Sequence, residues 1–66
     1  MATPLKQLRE AKGLSQDDLA KLSAVSKSAI LDAELRRRKP RPSTRRKLAR
    51  ALKVRPEDIE FGTRPD

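Results

Sequence analysis

The sequence contains no cysteine and no histidine. This excludes disulfide bonds, zinc sites built from Cys or His ligands, a cysteine nucleophile and acid–base catalysis by histidine. Tryptophan and tyrosine are also missing, phenylalanine occurs once, and there is no run of about 18 apolar residues to cross a membrane. We therefore expect a cytoplasmic protein that has no enzymatic activity, needs no metal or cofactor and inserts into no membrane.

Positive charge is abundant instead, and one segment of the chain carries most of it. Lys and Arg number 17 against 9 Asp and Glu, which gives a net charge of +8. Residues 34–55 contain eleven basic side chains and one acidic side chain, Glu34, whereas residues 1–33 are almost neutral. Such a concentration of positive charge is typical of proteins that bind a polyanion. The length fits one small domain, which we place at residues 1–61, followed by a frayed polar tail at residues 62–66.

The spacing of proline, glycine, serine and threonine predicts five short helices and no strand. Thr3 is expected to cap the first helix with Pro4 at its first position, and Gly13 to end it in the left-handed conformation. Ser15 and Ser26 are expected to cap the second and third helices. The first three helices should therefore be separated by short connections.

The second half of the chain is interpreted in the same way. The third helix should run to about Leu35, and two nearby prolines predict an extended loop over residues 36–42. Ser43 is expected to cap a fourth helix, and Pro56 to begin a last helical turn. Apolar residues at helical spacing predict the core, and they are Leu5, Leu8, Ala11, Leu19, Ala20, Leu22, Ile30, Ala33, Leu48, Ala51, Leu52, Ile59 and Phe61. These patterns together predict an all-α fold.

Two short helices joined by a tight turn and followed by a basic loop form a helix-turn-helix pattern. The segments that carry it are Leu14-Ser15-Gln16, Leu19-Ala20 and Val25-Ser26-Lys27-Ser28, with Leu8-Arg9-Glu10 and Gly13-Leu14 before them, and Leu48-Ala49-Arg50-Ala51-Leu52 and Pro56-Glu57-Asp58-Ile59 after them. On these motifs the chain resembles the lambda-repressor/Cro-like helix-turn-helix family, also called the xenobiotic-response-element (XRE) family, over about residues 5–61. The resemblance implies a five-helix DNA-binding domain whose third helix reads the major groove of double-stranded DNA.

The resemblance also implies which residues of the third helix meet the DNA. The recognition positions are Ser26, Lys27, Ser28, Leu31 and Asp32. By their chemistry, Lys27 suits the acceptors of guanine, Leu31 a thymine methyl group and Asp32 the amino group of cytosine. Asp32 is also repelled by phosphates, so it would act by rejecting wrong sequences. Alternatively, Ser26 is only a helix cap and Lys27 is only solvated surface.

Contacts with the phosphate backbone are implied for Gln16, which would also brace the third helix, and for the basic loop that follows that helix. The basic residues of this group are Arg36, Arg37, Arg38, Lys39 and Arg41. Clustered guanidinium groups bind phosphate well, although a merely solvated charge run is the alternative. Some of residues 45–47, which open the fourth helix, should reach phosphate too. Arg9 and Glu34 are implied to form a structural ion pair between the first helix and the end of the third.

Several positions depart from the family pattern. Arg36 stands where glycine is usual, so either the third helix runs on or Arg36 adopts a costly conformation. Ala33 replaces a larger aliphatic residue, and Leu31 and Leu35 replace polar ones. One explanation is that the third helix is rotated, so that Leu35 fills the volume missing at Ala33 and the base-reading face shifts. The other is that Leu31 and Leu35 contact a protein partner.

The function we expect is that of a sequence-specific, homodimeric transcriptional regulator, most simply a repressor. We expect it to act in a bacterial nucleoid or to be encoded by a phage. The homodimer is expected to form through the C-terminal helices, where Val54, Ile59 and Phe61 lie either in the dimer surface or in the core. No small-molecule ligand is expected. The same domain would serve an antitoxin or a restriction–modification controller. Further alternatives are a protein-interaction module and a non-specific nucleoid or RNA-binding protein, although the lack of aromatic residues argues against stacking on single strands.

Overall fold

The computed structural model of the protein describes residues 2–35 and 40–61. In this part of the chain four α-helices are followed by one turn of 3-10 helix. Their bounds are α1 (Leu5–Ala11), α2 (Gln16–Ser23), α3 (Lys27–Glu34), α4 (Pro42–Leu52) and the 3-10 turn (Pro56–Asp58). The all-α class is confirmed. The count of five α-helices is wrong, because the last one is a single 3-10 turn.

A short parallel strand pair joins the two ends of the described chain. Strand β1 (Thr3–Pro4) pairs with β2 (Ile59–Glu60), with Thr3 opposite Ile59. The sequence predicted no strand, because two residues are too few to show alternation and the two strands lie at opposite ends of the chain. Thr3 therefore belongs to β1, and the predicted Thr3 cap is wrong: Pro4 precedes α1 and no side chain caps that helix.

Serine caps begin α2 and α3, as predicted. The Ser15 hydroxyl accepts a hydrogen bond from the Asp18 N–H at 3.0 Å, and the Asp18 carboxylate accepts from the Ser15 N–H at 3.0 Å. The Ser26 hydroxyl accepts from the Ala29 N–H at 3.2 Å. Each serine satisfies a backbone donor that has no partner inside its helix, so both helices have defined starting points.

The start of α4 differs from its prediction. The helix begins at Pro42, and Arg41 precedes it in an extended conformation. Ser43 therefore lies inside the first turn and is not the cap. The physical reason is that proline suits the first helical position, because its fixed φ is helical and its missing N–H would have no partner there. The predicted loop over residues 36–42 thus overlaps α4 by one residue.

The left-handed conformation occurs at three connections in the described chain. Gly13 has φ +71° after α1, as predicted, and its N–H donates to the Glu10 carbonyl at 2.9 Å. Ala24 after α2 and Lys53 after α4 have φ +61° and +59° without being glycine. Both positions carry the steric cost that a Cβ atom meets in this conformation.

The core lies where α2 packs on α3 and α4, with α1 and β2 closing one side. Its buried residues are Leu5, Leu19, Val25, Ile30, Ala33, Leu48, Ala49, Leu52, Ile59 and Phe61. Leu8, Ala20, Ala51 and Val54 are partly buried against it. This confirms most of the predicted core, and Ile59 and Phe61 are core residues and not exposed dimer surface.

Two predicted core residues lie outside it. Ala11 is exposed, and the Leu22 residue is 61% exposed. The position next to Leu22, Ser23, is buried instead. Its hydroxyl donates to the Leu19 carbonyl at 2.6 Å and accepts from the Val25 N–H at 3.3 Å. A polar residue occupies this core position because both of its hydrogen-bonding roles are satisfied there.

Helix α3 is not rotated. Ala33 is 3% exposed and Leu35 is 52% exposed, so Leu35 does not fill the volume that the small side chain at position 33 leaves. The rotated alternative is therefore wrong, and Ile30 and Ala33 face the core as the helical spacing predicted. The helix ends at Glu34, whereas the conformation of Arg36 lies outside the described residues.

Candidate nucleic-acid interface

A network of three side chains fixes the relative positions of α1, α2 and α3. The Arg9 Nε donates to Glu34 Oε2 at 2.6 Å, and the Arg9 Nη2 donates to Glu34 Oε1 at 3.3 Å. The two side chains are only 10% and 3% exposed. The hydrogen bond to Glu34 raises the pKa of the Arg9 guanidinium above its ordinary value. The ion pair between the first and third helices is therefore present in the structure.

Gln16 extends this network to the start of α2. Its Nε2 donates to Glu34 Oε1 at 3.0 Å. In addition, the Arg9 Nη1 donates to the Leu14 carbonyl at 2.8 Å, just before the cap of α2. An amide nitrogen carries two N–H groups, so Gln16 has a second donor for a ligand outside the fold. The network thus positions the N-terminal end of α2 against α3.

The N-terminal end of α3 presents polar side chains to solvent. Ser26, Lys27 and Ser28 are all exposed, and Val25, which precedes them, is buried in the core. Val25 anchors the turn between α2 and α3, so the first turn of α3 projects from a fixed base. Exposed polar groups at the start of a well-anchored helix are suited to hydrogen bonding with an external partner.

A cavity of about 320 Å³ connects this turn with the start of α4. Its lining residues are Ser26, Ser28, Ala29, Asp32, Pro40, Arg41 and Thr44. Three of the predicted recognition residues and one predicted phosphate-binding residue, Arg41, therefore share one concave surface. Asp32 is half-buried there, while Arg41 is exposed.

Lys27 takes part in an ion pair that was not predicted from the sequence. Its Nζ lies 3.3 Å from the Asp17 Oδ1, and the two side chains are 56% and 69% exposed. Asp17 is the second residue of α2, and Lys27 is the first residue of α3. The pair therefore bridges the N-terminal ends of the two helices. The available signal was an acidic residue in one first turn and a basic residue in the next.

Leu31 and Leu35 lie one helical turn apart on the outer side of α3. They are 36% and 52% exposed. Leu31 also lies one turn after Lys27, so the two predicted recognition residues Lys27 and Leu31 share a helix face. Asp32 and Ser28 form the adjacent row, which lines the cavity.

The basic residues divide into a described and an undescribed group. Arg36, Arg37, Arg38 and Lys39, which were predicted to bind phosphate, lie outside the described residues. On α4, Arg46, Lys47 and Arg50 are exposed, and Arg45 is half-buried.

No group of acidic residues able to hold a metal ion occurs in residues 2–35 and 40–61. None of the helices described for this chain is long and apolar enough to cross a membrane.

Comparison with known proteins adds one finding. Residues 5–59 match the model of a protein family described as helix-turn-helix. The match covers α1 to α4 and reaches the first residue of β2. No curated protein and no solved structure gives a significant match.

Proposed function

The chain belongs to the Cro/C1-type helix-turn-helix (XRE) family of DNA-binding transcription regulators, and we propose that it is a sequence-specific repressor. In this proposal a homodimer binds double-stranded DNA, and each copy inserts α3 into the major groove. The observation that carries it is the cavity in which polar side chains of α3 lie beside the basic start of α4. A surface with base-reading groups next to phosphate-binding groups fits the edge of a DNA groove.

Base recognition is assigned to the exposed face of α3. Lys27 at the first helical position offers an ammonium group to the guanine O6 and N7 acceptors, and Ser28 accepts or donates. Asp32, half-buried at the wall of the cavity, offers an acceptor to the cytosine amino group. Leu31 contributes an apolar contact for a thymine methyl group. Ser26 both caps α3 and faces the cavity, so its hydroxyl serves the fold and the interface.

Phosphate binding is assigned to residues that flank α3. The Gln16 amide donates one N–H to Glu34 and can donate the other to a phosphate. This second hydrogen bond would fix the position of α3 along the DNA. Arg41 lines the cavity, and the sequence contains four further basic residues at positions 36–39. If each copy neutralises about six phosphates, the logarithm of the binding constant falls against the logarithm of salt concentration with a slope near −5.

The homodimer is supported by the length of DNA sequence that a specific regulator must recognise. One α3 reaches only a few base pairs, whereas a genome offers roughly 10⁶–10⁹ competing sites. Two copies with recognition helices about 34 Å apart read twice the sequence on a two-fold symmetric site. We assign the contact to the exposed C-terminal surface, where Lys53, Arg55 and Glu57 present both signs of charge that can pair across a two-fold axis.

Repression is the simplest regulatory outcome of such binding. A protein that occupies its site blocks other proteins there without any further surface, whereas activation requires a second interface that contacts a partner. Repression therefore requires neither a second protein interface nor a small-molecule ligand.

Selection from random duplex DNA at about 150 mM salt, followed by sequencing, tests this proposal. We expect enrichment of an inverted repeat whose half-sites are about ten base pairs apart. Enrichment of one unrepeated half-site would contradict the homodimer and leave sequence-specific binding intact. Retention of DNA with no enriched sequence would contradict the repressor and indicate a non-specific DNA-binding protein.

Variants then separate the two assigned roles. Lys27→Met and Asp32→Asn should each change the preferred base at one position, with about 1–3 kcal/mol lost at that position. Arg41→Gln should weaken binding to all sequences alike and reduce the salt slope by about one. Uniform weakening by Lys27→Met would contradict its assignment to a base.

A further inference from the structure

We propose that Asp17 is a specificity-determining residue, which holds the Lys27 ammonium group at the start of α3 and so directs it to a base edge and away from phosphates. The inference rests on the proposed function and concerns a residue outside the predicted recognition positions. It starts from the 3.3 Å contact between Asp17 Oδ1 and Lys27 Nζ.

The helix ends explain why this pair forms. The N-terminal end of a helix carries partial positive charge, which favours an acidic side chain and disfavours a basic one. Asp17 is the second residue of α2 and is well placed, whereas Lys27 is the first residue of α3 and is poorly placed. Because the two ends lie side by side, Asp17 offsets the repulsion that Lys27 meets at its own helix end.

The neighbouring polar residues cannot replace Asp17. The Asp18 carboxylate accepts the Ser15 N–H at 3.0 Å as part of the cap of α2. The Gln16 amide is bound to Glu34 at 3.0 Å. Asp17 is thus the acidic residue of this turn whose carboxylate is turned toward α3.

The consequence follows from the number of donors on lysine. An ammonium group has three N–H donors, and guanine presents two acceptors, O6 and N7, in one place. Lys27 can therefore keep one bond to Asp17 while it donates to a guanine. A phosphate offers no such arrangement, because its negative charge and that of Asp17 repel each other when both approach the same cation. Asp17 therefore lowers the affinity for any sequence that lacks the matching base.

The test compares Asp17→Asn with a control, Glu10→Gln. Both substitutions remove one negative charge from an exposed side chain, and Glu10 on α1 lies outside the residues assigned to DNA binding and to the homodimer contact. Affinities are measured across salt concentrations for the duplex enriched by selection and for a scrambled duplex of the same composition. Thermal unfolding of each variant verifies that it is folded.

Relative to Glu10→Gln, we expect Asp17→Asn to bind the scrambled duplex about three- to fivefold more tightly, the scale of one exposed ion pair. Its salt slope on that duplex should steepen by about 0.9, because the freed Lys27 makes one more phosphate contact. Affinity for the enriched duplex should not rise. In a Lys27→Met background the difference between the two variants should disappear.

Three outcomes overturn the inference. Equal changes by Asp17→Asn and Glu10→Gln on both duplexes would show a general charge effect. An Asp17→Asn effect that persists in the Lys27→Met background would show that Asp17 does not act through Lys27. Equal tightening on the enriched and scrambled duplexes would show a change of affinity without a change of specificity. If the wild type itself prefers no duplex, the proposed function fails first, and that result is separate.

Discussion

Glu34 illustrates how much a single residue contributes to this fold. Its side chain is 3% exposed and accepts hydrogen bonds from both Arg9 and Gln16. Removing a charge from water costs its hydration free energy, and the attraction of an opposite charge offsets that cost. A buried charge without its partner therefore destabilises the fold. The Arg9–Glu34 pair therefore contributes to stability chiefly through the penalty that follows when one partner is missing.

We expect Glu34→Ala to lower the free energy of unfolding by about 3–5 kcal/mol, because it leaves the Arg9 guanidinium nearly buried without a counter-ion. Urea unfolding at neutral pH measures the loss. The control is Glu57→Ala, which breaks an exposed pair and should cost less than about 1 kcal/mol. The double variant Arg9→Met/Glu34→Leu should recover much of the lost stability, since it removes both charges. Equal losses in the two single variants would contradict a role for burial.

Asp18 supplies a pH-dependent contribution to stability. The hydrogen bonds from Ser15 lower the pKa of Asp18 below its ordinary value. A carboxyl group whose pKa is lowered by folding stabilises the fold above its unfolded pKa of about 3.9, and this contribution is lost as the pH falls through the folded pKa. Asp18→Asn should therefore be less stable than the wild type at neutral pH, and the difference should shrink below about pH 4. Urea unfolding across this range measures it, and a constant difference would contradict the account.

Some of these side-chain contacts could be predicted from the sequence. The Arg9–Glu34 pair followed from the family resemblance, which also implied that Gln16 contacts phosphate and braces α3. The resemblance did not identify Glu34 as the residue that Gln16 binds. Asp17 was missed for a physical reason. An acidic residue in a first helical turn is already explained by the helix dipole, so Asp17 was not connected with the basic residue in the first turn of α3.

At the scale of elements, the turn between α2 and α3 contains avoidable strain. Ala24 has φ +61°, a conformation that costs an L-residue about 1–2 kcal/mol and costs glycine little. We expect Ala24→Gly to raise the free energy of unfolding by up to about 1 kcal/mol, after the entropy that glycine gains in the unfolded chain is subtracted. The measurement is again urea unfolding.

The matched control for Ala24→Gly is Ala11→Gly. Both alanines are exposed, but Ala11 is the last residue of α1 and has a helical backbone. Glycine at Ala11 should destabilise the protein, by less than the roughly 0.5–1 kcal/mol of a helix interior because Ala11 is the last helical residue. Opposite signs for the two variants would confirm that backbone conformation decides the effect. Destabilisation by both would show that the turn is not strained.

Helix starts show which elements the sequence could locate. Ser15 and Ser26 were assigned as caps because each is followed by residues that continue a helix, and their hydroxyl groups do bind the expected N–H groups. Ser43 failed because the adjacent Pro42 is itself a better first residue. Thr3 failed because its backbone pairs with Ile59, and no local pattern can reveal a partner more than fifty residues away.

For the whole molecule, the core and the charge distribution were predictable to different degrees. Helical spacing identified Ile30, Ala33, Leu48 and Leu52 correctly, because each repeats on one face of its own helix. The same spacing placed Leu22 inside, although Ser23 is buried there through two hydrogen bonds. Net charge needs no structure at all, so the polyanion-binding character could be inferred first.

This charge distribution should make salt act on folding and on DNA binding in opposite directions. Self-repulsion at a net charge of +8 destabilises the free domain, and salt screens it. Between about 0.05 M and 0.5 M NaCl we expect Tm to rise by roughly 4–8 °C, equivalent to about 1 kcal/mol, while DNA affinity falls. The double variant Lys47→Gln/Arg50→Gln, altered at exposed residues of α4, should show a shallower rise. A Tm that falls with salt would mean that attraction within pairs such as Arg9–Glu34 outweighs the repulsion. The basic segment at residues 34–55 would then not destabilise the fold.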